Sequence, residues 1–158
     1  MSLTAETYQP VSDDPASEDF QFERWPFYHL ARLVNIYHLR LERALKPLGV
    51  DVPRWRILTI LLAGPTTITR IADKAVSKVS TVAKIVQRMS ADGLVETRTS
   101  AEDARSTEAV ITAAGRAMLA QVRSKVSKIS KEAFAGIPPA ELEVLVDAAR
   151  RIHSNLVV

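Results

Sequence analysis

The stretch TITRIADKAVSKVSTVAKIVQRMSADG, running from Thr67 to Gly93, decides the fold. Thr67 precedes Ile71, Ala72 and Ala75, an apolar set at three- and four-residue steps. A threonine there supplies the side-chain oxygen that the first turn of a helix needs. Ser77 stands in the same relation to Val79, Val82, Ile85, Val86 and Met89, and Asp92-Gly93 ends that run. Two short helices joined by a tight turn are predicted, the arrangement of a helix-turn-helix. With Val79, Val82, Val86 and Met89 turned inward, Ser77, Thr81, Lys84 and Arg88 fall on the opposite face, with Lys78 and Ser80 beside them. That face carries hydroxyls and cations and no acid.

Short hydroxyls and cations near a helix N-terminus suit a major groove. Ser and Thr reach bases or phosphates closely, Lys and Arg donate to guanine O6 and N7, and the helix dipole favours phosphate. A solvated helix face with a few cations has the same composition, so the helix alone leaves both readings open.

Downstream, Leu94-Val95-Glu96-Thr97-Arg98 and Thr107-Glu108-Ala109-Val110-Ile111 are β-compatible runs flanking the polar stretch Thr99 to Ser106. They predict a two-stranded hairpin with a charged tip. Arg98 lies on its first strand and Asp103-Ala104-Arg105 at its end, where Arg105 can enter a narrow minor groove and Asp103 can orient its guanidinium. Upstream, Pro26 opens a helix carrying Phe27, Leu30, Ala31, Val34, His38, Leu41 and Leu45. Asp51 and Pro53 open a second, buried one that runs to Gly64-Pro65. Thr112 caps a long helix through Met118, Val122, Val126, Ile129 and Ala133, and a last helix carries Leu142, Leu145, Val146, Ala149, Ile152 and Leu156. These last helices carry apolar stripes that a winged helix over residues 50–112 does not need. They must be covered by a second copy of the chain or by the first helix of the same one.

The 158 residues amount to about one domain, with 47% hydrophobic and 25% charged residues, an ordinary globular composition. Six acids (Glu6, Asp13, Asp14, Glu18, Asp19, Glu23) and no base precede Arg24, so residues 1–23 are expected to form a flexible acidic arm. Removing those charges from the net +3 leaves +9 on residues 24–158, which suits a polyanionic partner. No cysteine is present, which excludes disulfides, thiolate catalysis, Cys-ligated zinc and thiol-based oxidant sensing. The longest apolar stretch, Ile57 to Ala63, is far below the roughly 20 residues that span a bilayer, so no membrane role and a cytoplasmic location are expected.

The ordered set Ile71-Ala72-Asp73-Lys74, Ser80 through Met89, Gly93-Leu94-Val95, Asp103-Ala104-Arg105-Ser106 and Ile111-Thr112-Ala113-Ala114-Gly115 resembles the MarR family of winged-helix transcription regulators over about residues 25–156. The implied fold is mainly α with a small β-hairpin wing, a winged helix-turn-helix flanked by N- and C-terminal dimerisation helices in one intertwined domain. Residues 24–48 and 113–158 would supply the dimerisation helices and residues 50–112 the DNA-binding region. The resemblance further implies binding of pseudo-palindromic double-stranded DNA by a homodimer, and usually repression relieved by a small, often aromatic, ligand. Position by position, Ser77, Lys78, Ser80, Thr81, Lys84 and Arg88 match the recognition face, and Asp103 and Arg105 match the wing. Ala104 departs from the family's usual Arg or Lys, which predicts a weaker hold on DNA.

Effector sites in that family lie between the first helix, the second and the base of the fifth, which here offers Tyr28, His29, Arg32, Trp55 and Arg56. Arg32 or His29 would bind a carboxylate and Trp55 would stack on a ring. No cofactor is implied. His29 and His38, nine residues apart, point to opposite sides of a helix and cannot chelate a metal together. No G-x-S-x-G, phosphate loop, H-E-x-x-H or dinucleotide fingerprint supports an enzyme. A helical adaptor using the winged helix for protein contacts is the remaining alternative.

Overall fold

The computed structural model describes residues 14–101 and 103–157. In chain order the elements are α1 (Pro26–Leu45), α2 (Val52–Ile60), β1 (Thr66–Thr67), α3 (Ile68–Lys74), α4 (Val79–Ala91), β2 (Val95–Thr99), β3 (Thr107–Ile111), α5 (Ala113–Ala133) and α6 (Pro139–Leu156). Three helices start where a side-chain oxygen takes an otherwise unpaired amide. Asp51 accepts from the Arg54 amide, Thr67 from that of Arg70 and Thr112 from that of Gly115. α2 stops earlier than the sequence predicts, because a 3-10 turn over Leu61–Ala63 carries the chain to Gly64, whose φ of 124° lies outside what other residues adopt.

The wing differs from the predicted two-stranded hairpin. It is a three-stranded antiparallel sheet in the order β1-β3-β2, in which Thr66 pairs with Ala109 and Thr67 with Glu108. On the other side of β3, Val95 faces Ile111, Arg98 faces Glu108 and Thr99 faces Thr107. Thr67 therefore ends a strand and caps α3 at once, which fixes the helix-turn-helix against the sheet.

Two apolar clusters hold the molecule. The first joins Ile57, Leu58 and Leu61 to Ile71, Val82, Val86, Met89, Val95, Ala109, Ile111 and Leu119, uniting α2, α3, α4, α5 and the sheet. The second joins Leu41 and Leu45 of α1 to Val50, Val52, Val122 and Ile129. Trp55 and Met118 pack against both. α5 comes so close to the start of the wing that a Cβ on Gly115 would collide with the Leu94 carbonyl oxygen.

Only the C-terminal end of the predicted α1 stripe is buried: Leu41 and Leu45 are inaccessible, whereas Phe27 and Val34 are exposed. α6 buries none of its residues, and Leu145, Val146 and Leu156 lie open. The first 13 residues of the expected acidic arm lie outside the described residues. Within 14–24 the chain is ordered into turns, with the Ser17 amide on the Asp14 carbonyl and a 3-10 turn over Phe22–Arg24. Phe20, Phe22 and Phe27 gather around Trp25 there.

Candidate nucleic-acid interface

α4 presents Ser80, Thr81, Lys84 and Arg88 to solvent, and no acid occurs between Val79 and Ala91. The spacing puts these residues opposite Val82, Val86 and Met89, which are buried in the first cluster. Two details differ from expectation. Ser77 does not cap α4: the N-cap residue is Lys78, without a side-chain cap bond. Ser77 instead closes the end of α3, its amide donating to the Ala72 carbonyl at 2.9 Å. Val79 is 48% exposed rather than inward, because it sits in the first turn at the margin of the apolar stripe. Ser77 and Lys78 thus stand just before α4 rather than on it.

The turn into α4 passes through Val76, whose φ of 52° is left-handed and whose side chain is 90% exposed. The other end of α4 is tied down by Arg54, which bonds Asp92 at 3.2 Å from α2. α4 is thereby held against α2 at one end and by the α3–α4 turn at the other.

In the wing, Arg98 donates through Nε to Glu108 Oε2 at 3.3 Å, while Ser100 Oγ donates to Glu108 Oε1 at 2.8 Å. Asp103 does not orient the Arg105 guanidinium as its spacing suggests. Its Oδ1 accepts from the Arg105 amide at 3.0 Å and its Oδ2 from the Ser106 hydroxyl at 2.9 Å. Those two bonds, the amide first, hold its carboxyl below the usual range. Asp103 is the brace of the tip, and Arg105 is left exposed. Among the described residues, no ion pair engages Lys78, Lys84, Arg88 or Arg105.

The five effector candidates divide into two groups. Tyr28 and Arg32 pair on one turn of α1, Nη1 donating to the phenol oxygen at 2.8 Å, and His29 meets the Tyr28 ring edge-on. Trp55 and Arg56 lie on α2, where Arg56 Nη2 meets His38 Nε2 at 2.9 Å. Arginine only donates, so this nitrogen of His38 accepts. Tyr28 and His38 are ten residues apart on α1, about 15 Å of helix, so the groups do not converge. Tyr37 and His38, outside the sequence-based set, are the residues that stand with Arg56. Burial pushes the Tyr37 phenol up, with Arg56 opposing. Arg56 also lines a cavity of about 90 Å³ with Pro53, Val76, Ser77, Val82 and Ile85, beneath the turn that leads into α4.

The model of the MarR family matches residues 48–106, from the end of α1 to the wing tip. The chain is 40% identical over 144 residues to the HTH-type transcriptional repressor IacR of Pseudomonas putida, covering 90% of this chain and 86% of that protein. The chain belongs to the MarR family. Its fold matches a MarR-family transcriptional regulator from Silicibacter pomeroyi with a TM-score of 0.77 and 26% identity, over 87% of this chain and 94% of that one. It also matches CouR from Rhodococcus jostii RHA1, solved with p-coumaroyl-CoA, with a TM-score of 0.77 and 18% identity, over 87% and 98%. This MarR-family chain is a DNA-binding transcriptional regulator, and the family model spans its helix-turn-helix and the wing through β2 and the tip. Among the described residues no helix is long and apolar enough to cross a membrane.

Proposed function

We propose that this regulator is a cytoplasmic, ligand-responsive repressor that binds a pseudo-palindromic double-stranded operator as a homodimer. The observation that carries the DNA mode is the acid-free face of α4, with Ser80, Thr81, Lys84 and Arg88 exposed and unpaired in charge, beside a wing that ends in exposed Arg105. α4 enters the major groove, Ser77 and Lys78 lie against the adjoining backbone, and Arg105 reaches the neighbouring minor groove. Two copies address half-sites roughly 34–36 Å apart. Arg98 plays a smaller part than its charge suggests, because Glu108 neutralises it. Repression is the activity in the name of the 40% identical relative.

The effector is a small aromatic or carboxylate compound. Arg56, with Trp55, Tyr37 and His38, offers a cation, phenol and ring surfaces between α1 and α2, and Arg56 also lines the cavity beneath the turn into α4. A ligand carboxylate that takes Arg56 from His38 would therefore disturb the ground on which α4 stands.

Fluorescence anisotropy against duplex DNA from upstream of the chain's own gene and a scrambled control, across a salt series, tests the DNA mode. Tight, salt-sensitive binding to the native duplex is expected, saturating at one dimer per site. Lys84→Ala should cost about 1–3 kcal/mol and relax specificity where Lys84 reads a base. Unchanged binding by both Lys84→Ala and Arg105→Ala would remove this docking geometry, and no binding at low salt would point to a protein-binding adaptor.

A further inference from the structure

We propose that Glu108, an acid on the β3 strand of the wing, is a positioning residue for DNA binding that sets the pose of Arg105. The inference rests on the wing's contact with DNA proposed above. Glu108 lies on β3 directly across from Arg98, and its side chain is only 12% exposed. Both carboxylate oxygens are in use: Oε2 accepts from Arg98 Nε and Oε1 from the hydroxyl of Ser100, a buried residue at the end of β2. The hydrogen bonds then continue to the tip. The Ser100 amide donates to the Ser106 carbonyl at 2.8 Å, the Ser106 amide to the Asp103 carbonyl at 2.9 Å, and the Arg105 amide to the Asp103 side chain. Glu108 is the inner anchor of this series and Arg105 is its outer end.

Charge alone predicts the opposite role. A carboxylate facing a polyanion is repelled, so deleting it and freeing Arg98 should tighten binding to any DNA. Paired side by side, however, Arg98 and Glu108 nearly cancel at the distance of a phosphate about one Debye length away. What the pair supplies is order: the loop between β2 and β3 is closed before DNA arrives, and Arg105 is presented without the entropy loss of ordering a free loop on binding. Glu108 thus gives up nonspecific attraction and gains a defined minor-groove contact.

The test uses the full chain with the native and scrambled duplexes. Glu108→Ala is expected to lower the preference for the native duplex about tenfold, while the freed Arg98 steepens the salt slope by about one phosphate contact. Glu108→Gln, which still accepts from Ser100, should recover part of that preference. In an Arg105→Ala background, Glu108→Ala should change the preference by less than about twofold, since both act on one contact. Faster hydrogen exchange at the Arg105 and Ser106 amides of the free variant would report the loosened tip. If Glu108→Ala fails to fold, Ser100→Ala, which takes one of the two donors from Glu108, should give a smaller loss in the same direction. The proposal is overturned if Glu108→Ala binds as well or better with its preference intact, or if its effect persists in full beside Arg105→Ala. An Arg105→Ala variant that binds like the wild type overturns it together with the wing's role, whereas Lys84→Ala would still report the contact made by α4.

Discussion

Val76 shows what a single residue contributes at the interface. A β-branched side chain at a φ of 52° is crowded by its own backbone, a conformation that costs about 1–2 kcal/mol relative to the right-handed region. At 90% exposure it has no packing to offset that cost. Glycine adopts the same φ freely but loses more entropy on folding, about 0.5–1 kcal/mol. Val76→Gly is therefore expected to raise stability by up to about 1 kcal/mol, a melting shift of a few degrees for a chain of this size, measured at fixed protein concentration. Its affinity for the native duplex should stay within about twofold if the valine is a bystander to DNA. A melting temperature that falls would show instead that Val76 makes a stabilising contact in the assembled molecule.

Among the elements, the junction of α5 with the wing has the least room. Thr112 Oγ1 donates to the Gly93 carbonyl at 2.7 Å and accepts from the Gly115 amide at 3.0 Å, and the Thr112 amide donates to the Leu94 carbonyl. A methyl group on Gly115 would meet that same Leu94 carbonyl, which is backbone and cannot rotate away. Gly115→Ala should cost about 1–3 kcal/mol in thermal or urea unfolding despite the better helix propensity of alanine, and a stabilised variant would refute the close approach. The caps at Asp51, Thr67 and Thr112 were legible in the sequence because each acts within three residues of itself. β1 was not, since Thr66-Thr67 is too short for any periodicity and its partner Ala109 lies far along the chain. The same limit hid the uses of Ser77, Asp103 and Arg98. The first two depend on how a turn closes and the third on which residue the register places opposite. The α4 face could be read in advance because helical spacing alone fixes it. The grouping of Arg56 with Tyr37 and His38 could not, because it requires knowing how α1 crosses α2.

For the whole molecule, the unanswered surface is apolar. Leu33, Val34, Ile36 and Leu39 of α1 and Val144, Leu145, Val146 and Leu156 of α6 are all at least 40% exposed, and α6 has no buried residue at all. An isolated helix with an uncovered apolar stripe gains little from its own hydrogen bonds and is marginal in water. The proposed dimer would cover both helices with the same elements of a second copy, at about 25 cal/mol per Å² of apolar area removed from water. In that dimer, covering them would also set the distance between the two α4 helices and so link association to operator binding. Leu145→Glu places a charge in the centre of the α6 stripe without touching either buried cluster. Sedimentation at micromolar concentration should show the wild type as a dimer and this variant as a monomer that still melts cooperatively through the two buried clusters. Its affinity for the native duplex should drop about a hundredfold or more, because the second half-site is no longer addressed at a high effective concentration. Lys84→Ala on an intact dimer lowers affinity through contacts, whereas Leu145→Glu should lower it through valency, so only the latter is expected to recover at raised protein concentration. A wild type that sediments as a monomer and saturates the duplex at one chain per site would remove the dimer, and with it the two-half-site operator.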